Sequence, residues 1–321
     1  MCRSRPSYRS SHARQRPTAP QTPPAAGPMT VLTVSHKTVY RYARRVRFGD
    51  HRMMLRPRDS HDLRLLDTAL SISPPATVRW LHDTFGNSIA LASFREAAAE
   101  LSFHSSFRAE HFPLRELTLS YELEPYARAY PFSYSTEDIP DLSRSMERHY
   151  PDPDHVVDRW ARQVVASVKN RDTVAILVAM TQAIKAQFEY VRRDEMGTQA
   201  PAETHARRSG TCRDFALFMM EAARCLGLAA RFVSGYLYDE TLIDAPQAMV
   251  GGGATHAWTQ VYLPGAGWTE FDPTNAQTGG RNLIRVAVAR DPTQAVPLSG
   301  TYVGASEDFC GMTVEVTVAA G

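Results

Sequence analysis

Three residues of this 321-residue chain have the types and the order that thiol chemistry requires: Cys212, His256 and Asp272. A thiolate is a good nucleophile, but it needs a base to exchange protons with and a further group to orient that base. Cys212 stands in Ser209-Gly210-Thr211-Cys212-Arg213-Asp214-Phe215, where Gly210 can turn the chain and Thr211 and Asp214 have the spacing of a capping pair. Phe215, Met219, Ala222, Ala223 and Leu226 then recur every three to four positions, and Gly227 follows. The spacing predicts an amphipathic helix that starts at the cysteine and stops at the glycine. Unpaired N–H groups and the positive end of the helix dipole favour an anion there, so the thiol should ionise more easily than a free one. Taken alone, a helical cysteine is more often a small buried thiol. The downstream segments change that balance.

Thr255-His256-Ala257-Trp258 and Trp268-Thr269-Glu270-Phe271-Asp272 read as two strands joined by the turn Pro264-Gly265-Ala266. A three-residue loop pairs Leu263 with Gly267 and therefore Trp258 with Asp272. His256 lies two residues along on the same face, a diagonal neighbour of the carboxylate. A four-residue loop would turn Asp272 to the opposite face, so the proposed triad demands one register. Tyr190 is a candidate hydrogen-bond donor to an oxyanion, and the backbone N–H of Cys212 is another.

With these residues in view, the chain resembles the transglutaminase-like superfamily of papain-like thiol enzymes, and more closely its bacterial group with an extra N-terminal β domain. The residues that carry the resemblance are Gly210-Thr211-Cys212-Arg213-Asp214, Arg231-Phe232-Val233-Ser234-Gly235-Tyr236, Thr255-His256-Ala257-Trp258 and Phe271-Asp272-Pro273-Thr274-Asn275. With matches upstream they span roughly residues 30–320. The resemblance implies an α+β protein: an N-terminal all-β domain, then a papain-like/transglutaminase-core domain of helices packed on an antiparallel sheet. It also implies Cys212 as nucleophile, His256 as base and Asp272 as orienter. Glu195-Met196-Gly197 resembles the E-x-G stretch that precedes the nucleophile in this group, which makes Glu195 a candidate cleft residue. Tyr190, Glu195 and Trp258 together are the candidate substrate-binding residues.

The rest of the chain bounds these readings. With 43% hydrophobic residues it can bury one large core or two ordinary ones. Residues 1–28 hold Arg3, Arg5, Arg9, Arg14 and Arg16, six prolines and no acid, so they carry +5 and are expected to be a disordered tail. Translation is expected to begin at Met29. The remaining 31 basic and 34 acidic residues leave the body at −3, which offers no footprint for nucleic acid. No run approaches a membrane span. Four scattered cysteines, with no C-x-x-C pair, form no disulfide framework or zinc site and fit a reducing cytoplasm. No cofactor or metal is implied.

Residues 29–124 read as the β domain, with short strands at Val31–Val34, Thr38–Tyr42, Met53–Arg58 and Leu70–Ser73 and a hairpin turn at Asp83–Asn87. The histidines at 36, 51, 61 and 82 are expected at the surface or in caps. Residues 125–150 read as a linker or wrapping arm, and residues 151–321 as the catalytic domain. Helical patterns run over 156–168 and 174–188. Gly251-Gly252-Gly253 reads as a loop ahead of the histidine strand. Residues 229–238, the hairpin, 283–291 and 312–318 are expected to make about five antiparallel strands over the helices. The expected function is acyl transfer on amide or isopeptide bonds of a peptide or protein, with hydrolysis favoured over transfer to an amine. A protein-glutamine transglutaminase and a non-catalytic binding or assembly module on the same fold are the alternatives.

Overall fold

The computed structural model describes residues 30–112, 122–193, 197–238 and 255–320. The basic tail, Met29, Glu195 and Gly251–Gly253 all lie outside those residues. The expected α+β architecture is present: an N-terminal β region, then five helices around an antiparallel sheet.

In the N-terminal region, what reads in sequence as separate short strands is one strand of 24 residues, β1 (Thr30–Met53). Two of the polar residues that interrupt its pattern, His36 and Thr38, are buried with partners. His36 Nδ1 shares a hydrogen bond of 2.9 Å with the Tyr236 hydroxyl, and its Nε2 one of 3.1 Å with Thr38. Burial, reinforced by His104, lowers the His36 pKa to about 4, which keeps the ring neutral. His51 is likewise buried, stacked on Phe103 and bonded to the Gly49 carbonyl at 2.9 Å. These two histidines therefore correct the expectation of surface positions. A buried, hydrogen-bonded imidazole packs as an aromatic core residue. The expected strand over 53–58 is also corrected, because extended pairing ends at Met53 while Met54 and Leu55 turn into the core.

β1 bends through a register break between Arg41 and Val46 and serves as the spine of a seven-stranded sheet. Its first part pairs with β5 (Ala98–His111), which pairs with β2 (Leu63–Ser73). Its second part pairs with β4 (Ser88–Phe94), and β4 with β3 (Ala76–His82) across the predicted turn. At that turn Asp83 Oδ1 accepts from the backbone N–H groups of Phe85 and Asn87 at 2.9 and 2.8 Å, and Gly86 supplies a φ of +74°. Tyr42, Phe48, Met53, Leu101 and Phe103 fill the space enclosed by the bend.

The helices are α1 (Ile139–Met146), α2 (Val156–Ser167), α3 (Thr173–Gln187), α4 (Pro201–Arg207) and α5 (Cys212–Cys225). α1 lies inside the expected linker, and the arm is tied down there. The Tyr134 hydroxyl donates to the Tyr262 carbonyl and accepts from the Ala229 N–H, both at 2.9 Å. α5 is buried nearly all round rather than on one face, including Glu221 and Arg224. Glu221 pairs with Arg224 at 2.9 Å, and Arg224 also donates to the carbonyls of Ala230 and Arg290. Polar spacing on the helix thus records an internal ion pair and no solvent face. Cys225 lies half-buried near the helix end, where burial pushes its thiol up to about 12.

The second sheet has the order β11 (Gln277–Thr278), β10 (Gly267–Asp272), β9 (Thr255–Leu263), β8 (Ala230–Leu237) and β12 (Leu283–Ala289). Residues 312–318 are not in it, contrary to expectation. They belong to β14 (Phe309–Ala320), which pairs antiparallel with β1 from Leu32 opposite Ala320 to Tyr42 opposite Phe309. β13 (Leu298–Val303) pairs with the later part of β1. An alternating pattern identifies a strand but not its partner, and here the last described strand returns to the first. The two regions share a core of Leu32, Val34, Phe107, Tyr236, Ile284 and Val286. Asn87, at the tip of the β3–β4 turn, exchanges two hydrogen bonds with the Val288 backbone at 2.7 and 2.9 Å.

Candidate active site

Cys212 is the first residue of α5, and the segment ahead of it is pinned on both sides. β6 (Glu189–Tyr190) and β7 (Ser209–Gly210) form a parallel pair, and the Val191 N–H donates to the Gly210 carbonyl at 2.9 Å. The capping pair read from the spacing is present: Asp214 Oδ2 accepts from the Thr211 N–H at 2.8 Å and from its hydroxyl at 2.9 Å. Asp214 does more than cap. It is fully buried, and its Oδ1 also accepts from the Gln199 N–H at 2.7 Å and the Arg193 guanidinium at 2.9 Å. One carboxylate therefore joins the segment before α4 to the start of the cysteine helix, a function the capping spacing by itself does not reveal. Gly210 matters through its missing side chain rather than through a turn, since a Cβ there would lie 2.9 Å from the Asp214 Cβ.

β9 and β10 pair as the three-residue loop requires, with Gly267 opposite Leu263 and Phe271 opposite Thr259. Thr259 faces α5 and donates to the Ala216 carbonyl at 2.8 Å, so its neighbours His256, Trp258 and Gln260 alternate away from it at their own positions. His256 Nε2 and Asp272 Oδ2 are 2.8 Å apart, both fully buried. The turn after Asp272 holds its carboxylate: Oδ1 accepts from the Thr274 N–H at 2.9 Å, and Oδ2 from the Asn275 amide at 2.8 Å. Asn275 is a member of the site that sequence reasoning quoted but gave no task. An Asp followed three residues later by Asn across a proline turn is the signal that could have found it.

The second ring nitrogen, Nδ1, is buried and has no conventional hydrogen-bond partner among the described residues. Cys212 is near enough for its sulfur to act on the ring. Burial works to lower the His256 pKa, but the Asp272 carboxylate and the Cys212 sulfur outweigh it and raise the value to about 10. The Asp272 carboxyl is itself held below the usual carboxylate range: burial pushes it up, and the His256 charge with the hydrogen bonds from His256, Asn275 and Thr274 pulls it further down. The arrangement presents a sulfur, an imidazole and a carboxylate in sequence. The ring can donate and accept one proton beside a thiol.

Among the candidate substrate-binding residues, Tyr190 is half-buried and close enough to Cys212 that the sulfur's charge, after burial, helps raise its phenol pKa. An open depression of about 610 Å3 lined by Val191, Arg193, Gln199 and Gly210 adjoins this approach. Trp258 is not placed to meet a substrate. It is fully buried, its indole N–H donates to Glu270, and its ring stacks on His256 with centroids 6.0 Å apart. Alternation along β9 puts it beside the histidine, and packing against Val233, Leu237 and Leu283 closes it off. Glu195 lies outside the described residues.

Among known proteins, residues 32–110 match the family described as the bacterial transglutaminase-like N-terminal region, and residues 158–273 match the transglutaminase-like superfamily. An uncharacterized protein of Mycobacterium tuberculosis is 29% identical over 299 residues, covering 88% of this chain and 91% of its own. A second, from Mycobacterium leprae, is 30% identical over 149 residues, 46% of this chain and 52% of its own. The crystal structure of a candidate cysteine protease from Cytophaga hutchinsonii is similar at a TM-score of 0.67 and 17% identity, covering 92% of this chain and 91% of that one, which is a likeness of fold.

Proposed function

Since the chain belongs to the transglutaminase-like superfamily, with a bacterial N-terminal region of that group ahead of the core, we propose that it is a thiol enzyme acting on amide or isopeptide bonds of peptides or proteins. The observation that carries this reading is the division of labour on one ring. His256 spends Nε2 on Asp272 and keeps a buried, otherwise unpartnered Nδ1 beside Cys212.

In the proposed reaction, Cys212 Sγ attacks the carbonyl carbon and forms a carbon–sulfur bond. The oxyanion meets the N–H groups at the start of α5, with Tyr190 as a further donor. The carbon–nitrogen bond then breaks, and the imidazolium gives its Nδ1 proton to the leaving amine. A His256 pKa of about 10 keeps that proton available at neutral pH. Water next attacks the thioester while Nδ1 takes its proton, and the carbon–sulfur bond breaks to release the acid and restore the sulfur. Asp272 and Asn275 hold the ring through both steps. An amine in place of water would make the same residues a transglutaminase. Hydrolysis is favoured because water needs no binding site of its own.

The test is intact-mass detection of an acyl adduct from a peptide amide library, with and without an added amine. Cys212→Ala is expected to abolish the adduct while preserving the fold by circular dichroism. His256→Ala is expected to slow its formation by at least about a hundredfold. Turnover indifferent to amine fits hydrolysis, and turnover that grows with amine fits transfer. Uniform slow labelling of all thiols by iodoacetamide, with no adduct, would instead indicate a binding module.

A further inference from the structure

A second cleft, of about 430 Å3, lies between the β9–β10 hairpin and the N-terminal β region. That is the size of a small-molecule site. Its walls include Arg58, Asp62, Arg231, Trp268, Glu270 and Arg285, and the charges there are unevenly paired. Of the four carboxylates in the lining, Asp59, Asp62, Glu122 and Glu270, Arg285 takes two: Nη1 donates to Glu270 Oε1 at 2.7 Å, and Nη2 reaches the two oxygens of Asp62 at 3.1 and 3.2 Å. Glu270 is already engaged on both of its oxygens. Its Oε1 also accepts from the Gln260 amide at 2.6 Å, and Oε2 accepts from the Trp258 indole.

Arg231 is left with neutral partners. Its Nε donates to Gln260 Oε1 at 2.6 Å, and its guanidinium lies 4.0 Å from the centre of the Trp268 ring. Arg58, on the facing wall, donates to the Gly86 carbonyl at 2.6 Å. Neither has a carboxylate within ion-pair distance among the described residues. Burial pulls the Arg231 pKa down to about 9; Glu270 opposes this, and Arg285 and Arg58 add to it. A cation kept from water without an anion is costly, and a planar carboxylate matches the fork of donors that a guanidinium presents.

We infer that this cleft binds the carboxylate of a peptide-like ligand, held between Arg231 and Arg58 beside Trp268. Asp59 and Glu122 in the same wall repel a doubly charged phosphate more strongly than a singly charged carboxylate, which favours a peptide monoanion. The cleft is separate from the thiol, because the fully buried Trp258 stands between Glu270 and His256. The inference therefore holds whether or not Cys212 is a nucleophile.

The experiment is calorimetric titration of the Cys212→Ala protein, which cannot turn ligand over, with acetyl-Ala-Ala as the free acid, with its C-terminal amide and with inorganic phosphate. The acid is expected to bind saturably and the amide at least about tenfold more weakly, the worth of one charge-assisted hydrogen bond. Arg231→Gln is expected to weaken the acid by a similar factor. Arg58→Gln, at an exposed position that leaves the core untouched, should weaken it by at least about threefold. The inference is overturned if the acid fails to bind, if acid and amide bind alike, if both variants bind as the parent does, or if phosphate binds more tightly than the acid.

Discussion

At the scale of single residues, the proton on His256 links the proposed chemistry to stability. Its pKa rises from 6.5 to about 10 in the folded protein, so the folded state holds that proton more tightly than the unfolded chain does. The stabilisation is fully present below pH 6.5 and is lost as the pH climbs toward 10. Urea midpoints measured between pH 6 and pH 10 should therefore fall, and Asp272→Asn, which removes the main opposing charge, should flatten that decline. A slope unchanged in Asp272→Asn would break the link between the carboxylate and the ring. Gly235 makes a second test. It lies opposite His256, and a Cβ there would collide with the Ile284 carbonyl and sit 2.8 Å from the Trp258 ring. Neither backbone nor indole can yield, so Gly235→Ala should cost about 1–3 kcal/mol in chemical denaturation.

At the scale of elements, the start of α5 depends on Asp214. Removing this side chain leaves two buried backbone donors, at Thr211 and Gln199, without their acceptor, and separates Arg193 from its carboxylate. Each buried donor left unpaired costs about 1–3 kcal/mol, so Asp214→Ala should lose roughly 3 kcal/mol and loosen the thiol's position. The measurement is denaturant unfolding together with adduct formation. Loss of stability with an unchanged acylation rate would show that Asp214 supports the fold but not the aim of Cys212. The positions that make α5 legible in the sequence are its apolar spacing and its cap. Its burial on every side was not legible, because Glu221 and Arg224 read as solvent-facing until their internal pairing is seen.

For the whole molecule, the pairing of the last two described strands with the first is the main consequence of the topology. β13 and β14 complete the N-terminal sheet by pairing with β1, although they follow the core in sequence. Deleting residues 298–321 should thus unfold the N-terminal β region and leave a chain that aggregates. In hydrogen exchange, the amides of β1 and β14 should open together as one cooperative unit. Independent exchange of the two strands would contradict this. Asn87 and the ion pair of Arg285 with Asp62 add polar ties between the regions, so the N-terminal region is expected to act as a wall of the second cleft.

The sequence by itself determined the local and short-range features: the cysteine at a helix start, its capping pair, the three-residue loop, and the register that puts His256 diagonal to Asp272. Those follow from backbone periodicity and turn length, which neighbouring residues decide. Only the tertiary structure decided that the last described strand returns to the first, that His36 and His51 are core residues, that Val233 and Leu283 close off Trp258, and that two guanidiniums share a cleft with no ion-pair partner among the described residues. Each of these depends on a partner some tens to hundreds of residues away, or on the cancellation of charge and burial in three dimensions, and no spacing along the chain records that.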